Sequence, residues 1–159
     1  MMHTTTSLER RIWDTLETIE DPELPITVID LGLIGQVHVA GGSVRVELIP
    51  TYSACPAMEV MRQDIRTKLR NLPGVEEVTV ELVFAEPWTM ARMTERGRRR
   101  LVEFGLSMPV RRTAEPAVCP FCGSTNTVLE NPFGPTLCRA IYYCRDCRNP
   151  IERFKPPAE

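Results

Sequence analysis

Apolar residues recur at three- and four-residue intervals through Leu8, Ile12, Leu16 and Ile19, which predicts an amphipathic helix from about Ser7 to Ile19. Thr6 and Glu9 have the spacing of a capping box at its start. The prolines of Glu20-Asp21-Pro22-Glu23-Leu24-Pro25 forbid its continuation, because each lacks an amide proton and crowds the preceding turn. Next comes Val28-Ile29-Asp30-Leu31-Gly32-Leu33-Ile34, a compact apolar run with one carboxylate in its middle. Gln36–Val39 and Val44–Ile49 read as strands, joined by Gly41-Gly42, a dipeptide suited to the positive φ angles of a two-residue hairpin.

Beyond Pro56, the residues Met58, Met61, Ile65, Leu69 and Leu72 fall on one helical face, and Asn71 to Gly74 marks the end of that helix. Val75–Phe84 alternates as a strand, and a third helix is expected near Met90 to Phe104, stopped by Gly105. Met108 to Val118 carries prolines, arginines and little apolar pattern, as a linker does. The predicted fold is therefore α/β: a small two-layer domain with a few-stranded sheet over residues 1–107, a linker over 108–118 and a small ribbon over 119–159.

The ribbon follows from four cysteines. Cys119-Pro-Phe-Cys122 and Cys144-Arg-Asp-Cys147 are separated by twenty-one residues. Each C-x-x-C pair at a tight turn aims two thiolates at one point, and two such pairs complete a tetrahedral four-sulfur site. Zinc suits that geometry, with a single rubredoxin-like iron as the alternative. A tail of about 40 residues buries too little surface to fold unaided, so the ion would supply the missing stability.

Composition narrows the picture further. The 159 residues are 43% hydrophobic and 25% charged, with a net charge of −2, as in an ordinary soluble globule. That charge argues against general nucleic-acid binding, and no apolar run approaches the roughly 20 residues of a membrane span. The N-terminus, Met1-Met2-His3-Thr4-Thr5-Thr6, has no charged region followed by an apolar one, so a cytoplasmic chain with reduced thiols is expected.

Of the six cysteines, Cys55 and Cys138 remain. With Pro56 suited to the first helical position, Cys55 becomes the expected N-cap, where unpaired amides and the helix dipole favour a thiolate. The plainer alternative is a small buried thiol. Cys138 reads either as a spare ligand or as a packed thiol within Phe133-Gly134-Pro135-Thr136-Leu137-Cys138-Arg139-Ala140. His3 and His38, the two histidines, make a poor base for a cysteine hydrolase. A soft metal or an iron–sulfur unit needs no such base.

Asp21, Glu23 and Asp30 are the carboxylate candidates. Asp21 can instead close an Asx turn before Pro22, and Glu23 can be a solvated loop charge. Asp30 needs a partner if buried, or it caps the following turn. Arg96, Arg98, Arg99 and Arg100, with Arg111 and Arg112 beyond, read as a solvated helix face, with acidic protein docking as the alternative.

Asp21-Pro22-Glu23, Asp30-Leu31-Gly32-Leu33 and Thr51-Tyr52-Ser53-Ala54-Cys55-Pro56 resemble the small domain shared by cytosolic iron–sulfur assembly factors and SufT-like bacterial proteins. Pro87-Trp88-Thr89, the helix ending Glu103-Phe104-Gly105-Leu106, and the tail with Phe-Gly-Pro-Thr-x-Cys narrow the resemblance to the PaaD family, D components of phenylacetyl-CoA epoxidase, over residues 13–155. The resemblance implies a cytoplasmic, non-enzymatic accessory of aerobic phenylacetate catabolism, which assists iron–sulfur assembly in the epoxidase reductase. It places a working surface on Asp21, Glu23, Asp30, Thr51 and Cys55, where iron or a cluster would bind transiently at Cys55. It places structural zinc on Cys119, Cys122, Cys144 and Cys147.

Partners implied are the reductase, the oxygenase components or both, and the small sheet's open edge leaves room for a homodimer. The chain lacks the Glu-x-x-His pairs of a di-iron bundle and the glycine fingerprint of a dinucleotide fold, so neither oxygenation nor hydride transfer is its own. Three rivals stand beside this reading: a structural subunit of the epoxidase complex, a zinc-ribbon nucleic-acid binder using Arg96 to Arg100, and a cysteine hydrolase, against which the lack of a credible histidine argues.

Overall fold

A computed structural model describes residues 7–51, 56–108 and 115–155. Helix α1 spans Ser7–Leu16, three residues shorter than the apolar stripe predicts. Glu17 and Thr18 form a turn there, and Ile19 leaves the helix to pair with the returning loop, its carbonyl accepting from the Val28 amide at 2.8 Å.

Strands β1 (Ile34–Ala40) and β2 (Ser43–Leu48) form the expected hairpin, with Gly41 at φ +61° in its two-residue turn. Helix α2 (Ala57–Arg70) then crosses back to β3 (Glu77–Leu82), which lies parallel to β2 with Val44 opposite Val78 and Leu48 opposite Leu82. The order β1-β2-β3 makes a three-stranded sheet. Its Val44, Val46, Leu48 and Val80 are buried together with Ile12 and Leu16 of α1 and Met61, Ile65 and Leu69 of α2. Each such side chain contributes roughly 1.5–3 kcal/mol on leaving water.

The third expected helix is broken in two. Met90–Arg92 is a single 3-10 turn, and α3 runs over Glu95–Glu103. Thr94 separates them: its extended backbone (φ −72°, ψ 159°) and a hydroxyl that accepts from the Gly97 amide make it an N-cap, so the helix starts afresh there. Gly105, at φ +92°, ends α3 as predicted.

A second sheet has the order β4-β7-β6-β5, from β4 (Leu106–Ser107), β5 (Thr127–Asn131), β6 (Arg139–Cys144) and β7 (Pro150–Phe154). Its edge strand β4 is the direct continuation of α3 and runs parallel to β7. In return Cys138 and Phe154 are buried in the larger core. The two units thus exchange parts across their boundary. No described helix is long and apolar enough to cross a membrane.

Candidate metal centre and acidic loop

Cys119 and Cys122 stand on a turn closed by hydrogen bonds from the Cys119 amide to the Ser124 carbonyl and from the Gly123 amide to the Cys119 carbonyl, both 2.9 Å. Gly123 has φ +76°, which the turn requires. Cys144 ends β6, and the turn to Cys147 is closed by the Cys144 amide on the Asn149 carbonyl. Asp146 ties the two turns together, accepting from the Ser124 hydroxyl and from the Asn126 side-chain amide.

All four sulfurs lie within 4.8 Å of one another, with Cys119 to Cys147 and Cys122 to Cys144 at 3.6 Å. Zinc–sulfur bonds of about 2.3 Å in a tetrahedron put sulfurs about 3.8 Å apart, so the residues fit such an ion. The thiols titrate far apart. The Ser124 amide stabilises a Cys122 thiolate, but desolvation and the neighbouring sulfurs outweigh it and push Cys122 up to about 12. The Asn149 side chain, against desolvation, draws Cys147 down to about 6. Close thiolates of this kind repel, and binding a cation is what relieves that repulsion and releases the protons.

The acidic loop lies on the other unit. Glu20 and Thr27 form an isolated antiparallel bridge, and the Asp21 amide donates to the Ile26 carbonyl at 2.9 Å. Asp21 Oδ1 accepts from the Glu23 amide at 2.8 Å, the Asx turn that its place before Pro22 predicts. Burial holds the Asp21 carboxyl above its ordinary range, with the Glu23 charge adding to the effect, despite the amide and Arg139 acting the other way.

Asp30, 3% exposed, does not line the space around Glu23. Its carboxylate accepts from Thr94 Oγ1 at 2.6 Å and from Arg96 Nε at 2.8 Å. Burial opposes the charged form, but these two partners outweigh it and hold Asp30 below its usual range. The same segment grips the loop at further points. Trp88 Nε1 donates to the Leu31 carbonyl at 2.7 Å, Arg92 Nε to Gly32 at 2.9 Å and Arg100 Nη1 to Pro25 at 3.0 Å.

Arg96, Arg99 and Arg100 lie exposed on α3, as a solvated face does, and some of them also reach back to the protein; Arg111 and Arg112 lie outside the described residues. Arg96 and Arg100 hold the acidic loop, and Arg98 holds the Met90 carbonyl at 2.9 Å. Each of these contacts engages a single guanidinium nitrogen, and Arg99 lies exposed beside them. Gly97 makes the close approach possible, since a Cβ there would stand 2.5 Å from the Asp30 carbonyl oxygen.

Asp21, Glu23 and Thr51 do come together. With Leu24, Met58 and Met61 they line a small cavity, whose remaining wall includes Cys138, Arg139 and Phe154 of the ribbon. Beside it Glu23 and Pro56 border a cleft of about 250 Å³, closed by residues 133–137. Cys55 lies outside the described residues. Pro56, which follows it, has helical dihedrals (φ −60°, ψ −26°) and directly precedes Ala57 of α2. No sequence pattern marked Arg139 as a site residue. Its Nη1 meets the Glu152 carboxylate at 2.8 Å and its Nη2 the Glu23 carbonyl at 3.5 Å, contacts that no local spacing announces.

Comparison with known proteins follows this division. Residues 9–82 match the iron–sulfur cluster assembly protein family, and residues 107–155 match the PaaD zinc beta ribbon domain. A relative from Escherichia coli, named for the D component of a 1,2-phenylacetyl-CoA epoxidase, is 39% identical over 150 residues, 91% of this chain and 90% of its own length. An "Fe-S protein maturation auxiliary factor" of Porphyromonas gingivalis is 40% identical over 88 residues, 55% of this chain and 84% of its own. Among solved structures, a domain of unknown function from Bacillus anthracis superimposes with a TM-score of 0.56 at 28% identity, over 59% of this chain and 91% of its own.

Proposed function

The chain belongs to the PaaD family, which joins an iron–sulfur cluster assembly domain to a zinc ribbon, and from this we propose that it is an accessory maturation factor of a 1,2-phenylacetyl-CoA epoxidase system. It is neither the oxygenase nor the reductase. Its cargo is iron or a small iron–sulfur unit, held transiently by Cys55 with Asp21, Glu23 and Thr51 around it and passed to the reductase cluster in the cytoplasm. Asp30 positions the acidic loop through Thr94 and Arg96. Cys119, Cys122, Cys144 and Cys147 hold structural zinc, which pins the ribbon so that it docks on the client.

The observation that supports this reading is the convergence of Asp21, Glu23 and Thr51 on a cavity walled by the ribbon. A thiolate beside carboxylates binds a soft or borderline ion directly and releases it without a proton-transfer base. Iron and acid-labile sulfide in the reductase, prepared from cells with and without this protein, test the proposal. A cluster-poor reductase is expected in its absence, restored by the wild-type protein and not by Cys55→Ser. Equal cluster content in all three overturns it.

The name of the E. coli relative favours a second reading, a structural subunit of the epoxidase complex. Co-purification at a fixed ratio with the oxygenase, with no change in reductase cluster content, is its signature.

A further inference from the structure

The loop leading into β6 shows apolar side chains to water and is nonetheless tightly held. Phe133 is 72% exposed, the highest value among the large hydrophobic residues described, and Leu137 is 48% exposed. Asn131 Oδ1 accepts from the Phe133 amide at 2.9 Å, an Asx turn that sets the entry to the loop. Across its base the Gly134 amide donates to the Arg139 carbonyl at 2.9 Å, and the Arg139 amide to the Thr136 carbonyl at 3.1 Å. Position 134 needs glycine, because a Cβ would stand 2.8 Å from that Arg139 oxygen. The Lys155 ammonium lies 5.2 Å from the centre of the Phe133 ring. Bracing of this kind lowers the entropy cost of ordering a loop when a partner binds.

These side chains border a concave surface. Residues 133–137 close the cleft of about 250 Å³ that Glu23 and Pro56 border. A space of that size admits single side chains, not a folded surface. Charge narrows the occupant further. The acidic loop carries Glu20, Asp21 and Glu23, and the Glu23 charge acts with burial against ionisation of Asp21. Beside the cleft the ribbon adds the Lys155 ammonium, while its Arg139 is paired with Glu152 at 2.8 Å, so negative charge is in excess. An apolar cleft beside a negative loop attracts a cationic partner and repels an acidic one.

Resting on the maturation reading above, we infer that this cleft is the client-docking site. It takes an extended segment of the protein that receives the cargo, with a bulky apolar side chain against Phe133 and Leu137 and a neighbouring lysine or arginine on Glu23. An extended segment delivers single side chains to a narrow cleft without a second folded surface. Its docking covers the exposed Phe133 ring, and apolar surface withdrawn from water supplies the main driving force. Placement gives the functional sense. Pro56 borders the cleft and follows Cys55 in the chain, so a docked segment lies beside the residue proposed to hold the cargo. An assembly domain without this ribbon lacks Phe133 and Leu137, so client choice resides in the ribbon.

The test uses the full-length, zinc-loaded protein, without iron, and short overlapping peptides covering the epoxidase reductase and oxygenase. Peptides it captures are remeasured in solution by fluorescence anisotropy. They are expected to pair an aromatic or aliphatic residue with a neighbouring lysine or arginine. Phe133→Ala should weaken binding about tenfold, as loss of an interface anchor does, with circular dichroism unchanged because the ring is exposed. Leu137→Ala should act in the same direction. Glu23→Gln should weaken binding about threefold at low salt and less at high salt, as loss of an exposed ion pair does. No captured peptide, captured peptides that are acidic or lack the basic residue, or binding that Phe133→Ala leaves unchanged overturns the inference. Self-association abolished by Phe133→Ala also overturns it, by assigning the cleft to a second copy of this chain. Reductase cluster content judges the maturation reading separately. Peptide binding indifferent to Phe133→Ala, with cluster content still dependent on Cys55, removes the docking site and keeps the maturation role. Peptide binding lost in Phe133→Ala, with full reductase clusters in cells lacking this protein, keeps the docking surface and removes that role.

Discussion

The two units of this protein are held together by different physics. The first buries one face of its three-stranded sheet against α1 and α2, with Ile12, Leu16, Val44, Val46, Leu48, Ile65 and Leu69 fully inaccessible. Among the described residues, the ribbon's own cluster is Ala117, Cys119, Ala140, Tyr142, Cys144 and Ile151, so two of its six members are metal ligands. Apolar burial suffices for the one and falls far short for the other. The lesson lies at their junction: β4 from the first unit edges the second sheet, and Cys138 and Phe154 from the second enter the first core. The two parts share one cavity, so a metal held by the four cysteines would also steady the ribbon wall of that cavity.

Removing the ribbon metal is the strongest way to break this comparison. Structural zinc contributes on the order of 10 kcal/mol to small domains of this kind. A chelator, or Cys144→Ser, should abolish amide protection over β5, β6 and β7 in hydrogen-exchange experiments and leave α1, α2 and the first sheet protected. Loss of protection everywhere would mean that the exchanged strands make one cooperative unit. Next in size is Leu69→Ala, which empties a fully buried position of α2. It should cost about 2–5 kcal/mol in denaturant unfolding of the first unit, with metal content at the ribbon unchanged.

The features legible in the sequence were those encoded locally. The metal ligands were readable because i, i+3 spacing at a turn is itself the geometry of two ligands. The α2 face was readable because Met58, Met61, Ile65 and Leu69 recur at the helical period and are all buried. The clamp on the acidic loop was not, because Arg92, Arg96 and Arg100 act on carbonyls and a carboxylate 60 or more residues away. An arginine directed at a distant carbonyl leaves the same trace in sequence as one in water. The break before α3 could have been seen: Thr94 followed by Glu95 is a helix-start signal inside the span read as continuous. Strand β4 is two residues long, too short for any periodicity to show.

Gly97→Ala sharpens the contrast within the first unit, between its packed core and its clamped loop. The added methyl would meet the Asp30 backbone at 2.5 Å, where no flexible side chain can give way. Overpacking of this sort costs about 1–3 kcal/mol. The loop should shift with the helix, so loss of the Trp88 indole hydrogen bond to Leu31, read by the indole proton in NMR, is the specific sign. An unchanged indole resonance in the variant would show that α3 does not hold the loop in place.

The smallest expected effect is electrostatic and belongs to Asp30. Thr94 and Arg96 hold its carboxyl below the ordinary value, so the folded state favours the charged form more than the unfolded chain does. By linkage this stabilisation is fully present above the unfolded value of about 3.9 and is lost as pH falls through the lower folded one. Stability of the wild-type protein should therefore decline below about pH 4, and Asp30→Asn should flatten part of that decline while lowering stability at neutral pH. The ribbon offers the control, because Asp146 is held low in the same direction by Ser124 and Asn126. Asn at position 30 should leave that second contribution intact, visible as residual acid sensitivity confined to β5 and β6. If the variant and the wild type share one acid profile, the Asp30 pair does not contribute to stability, and the backbone contacts of Trp88, Arg92 and Arg100 alone carry the clamp.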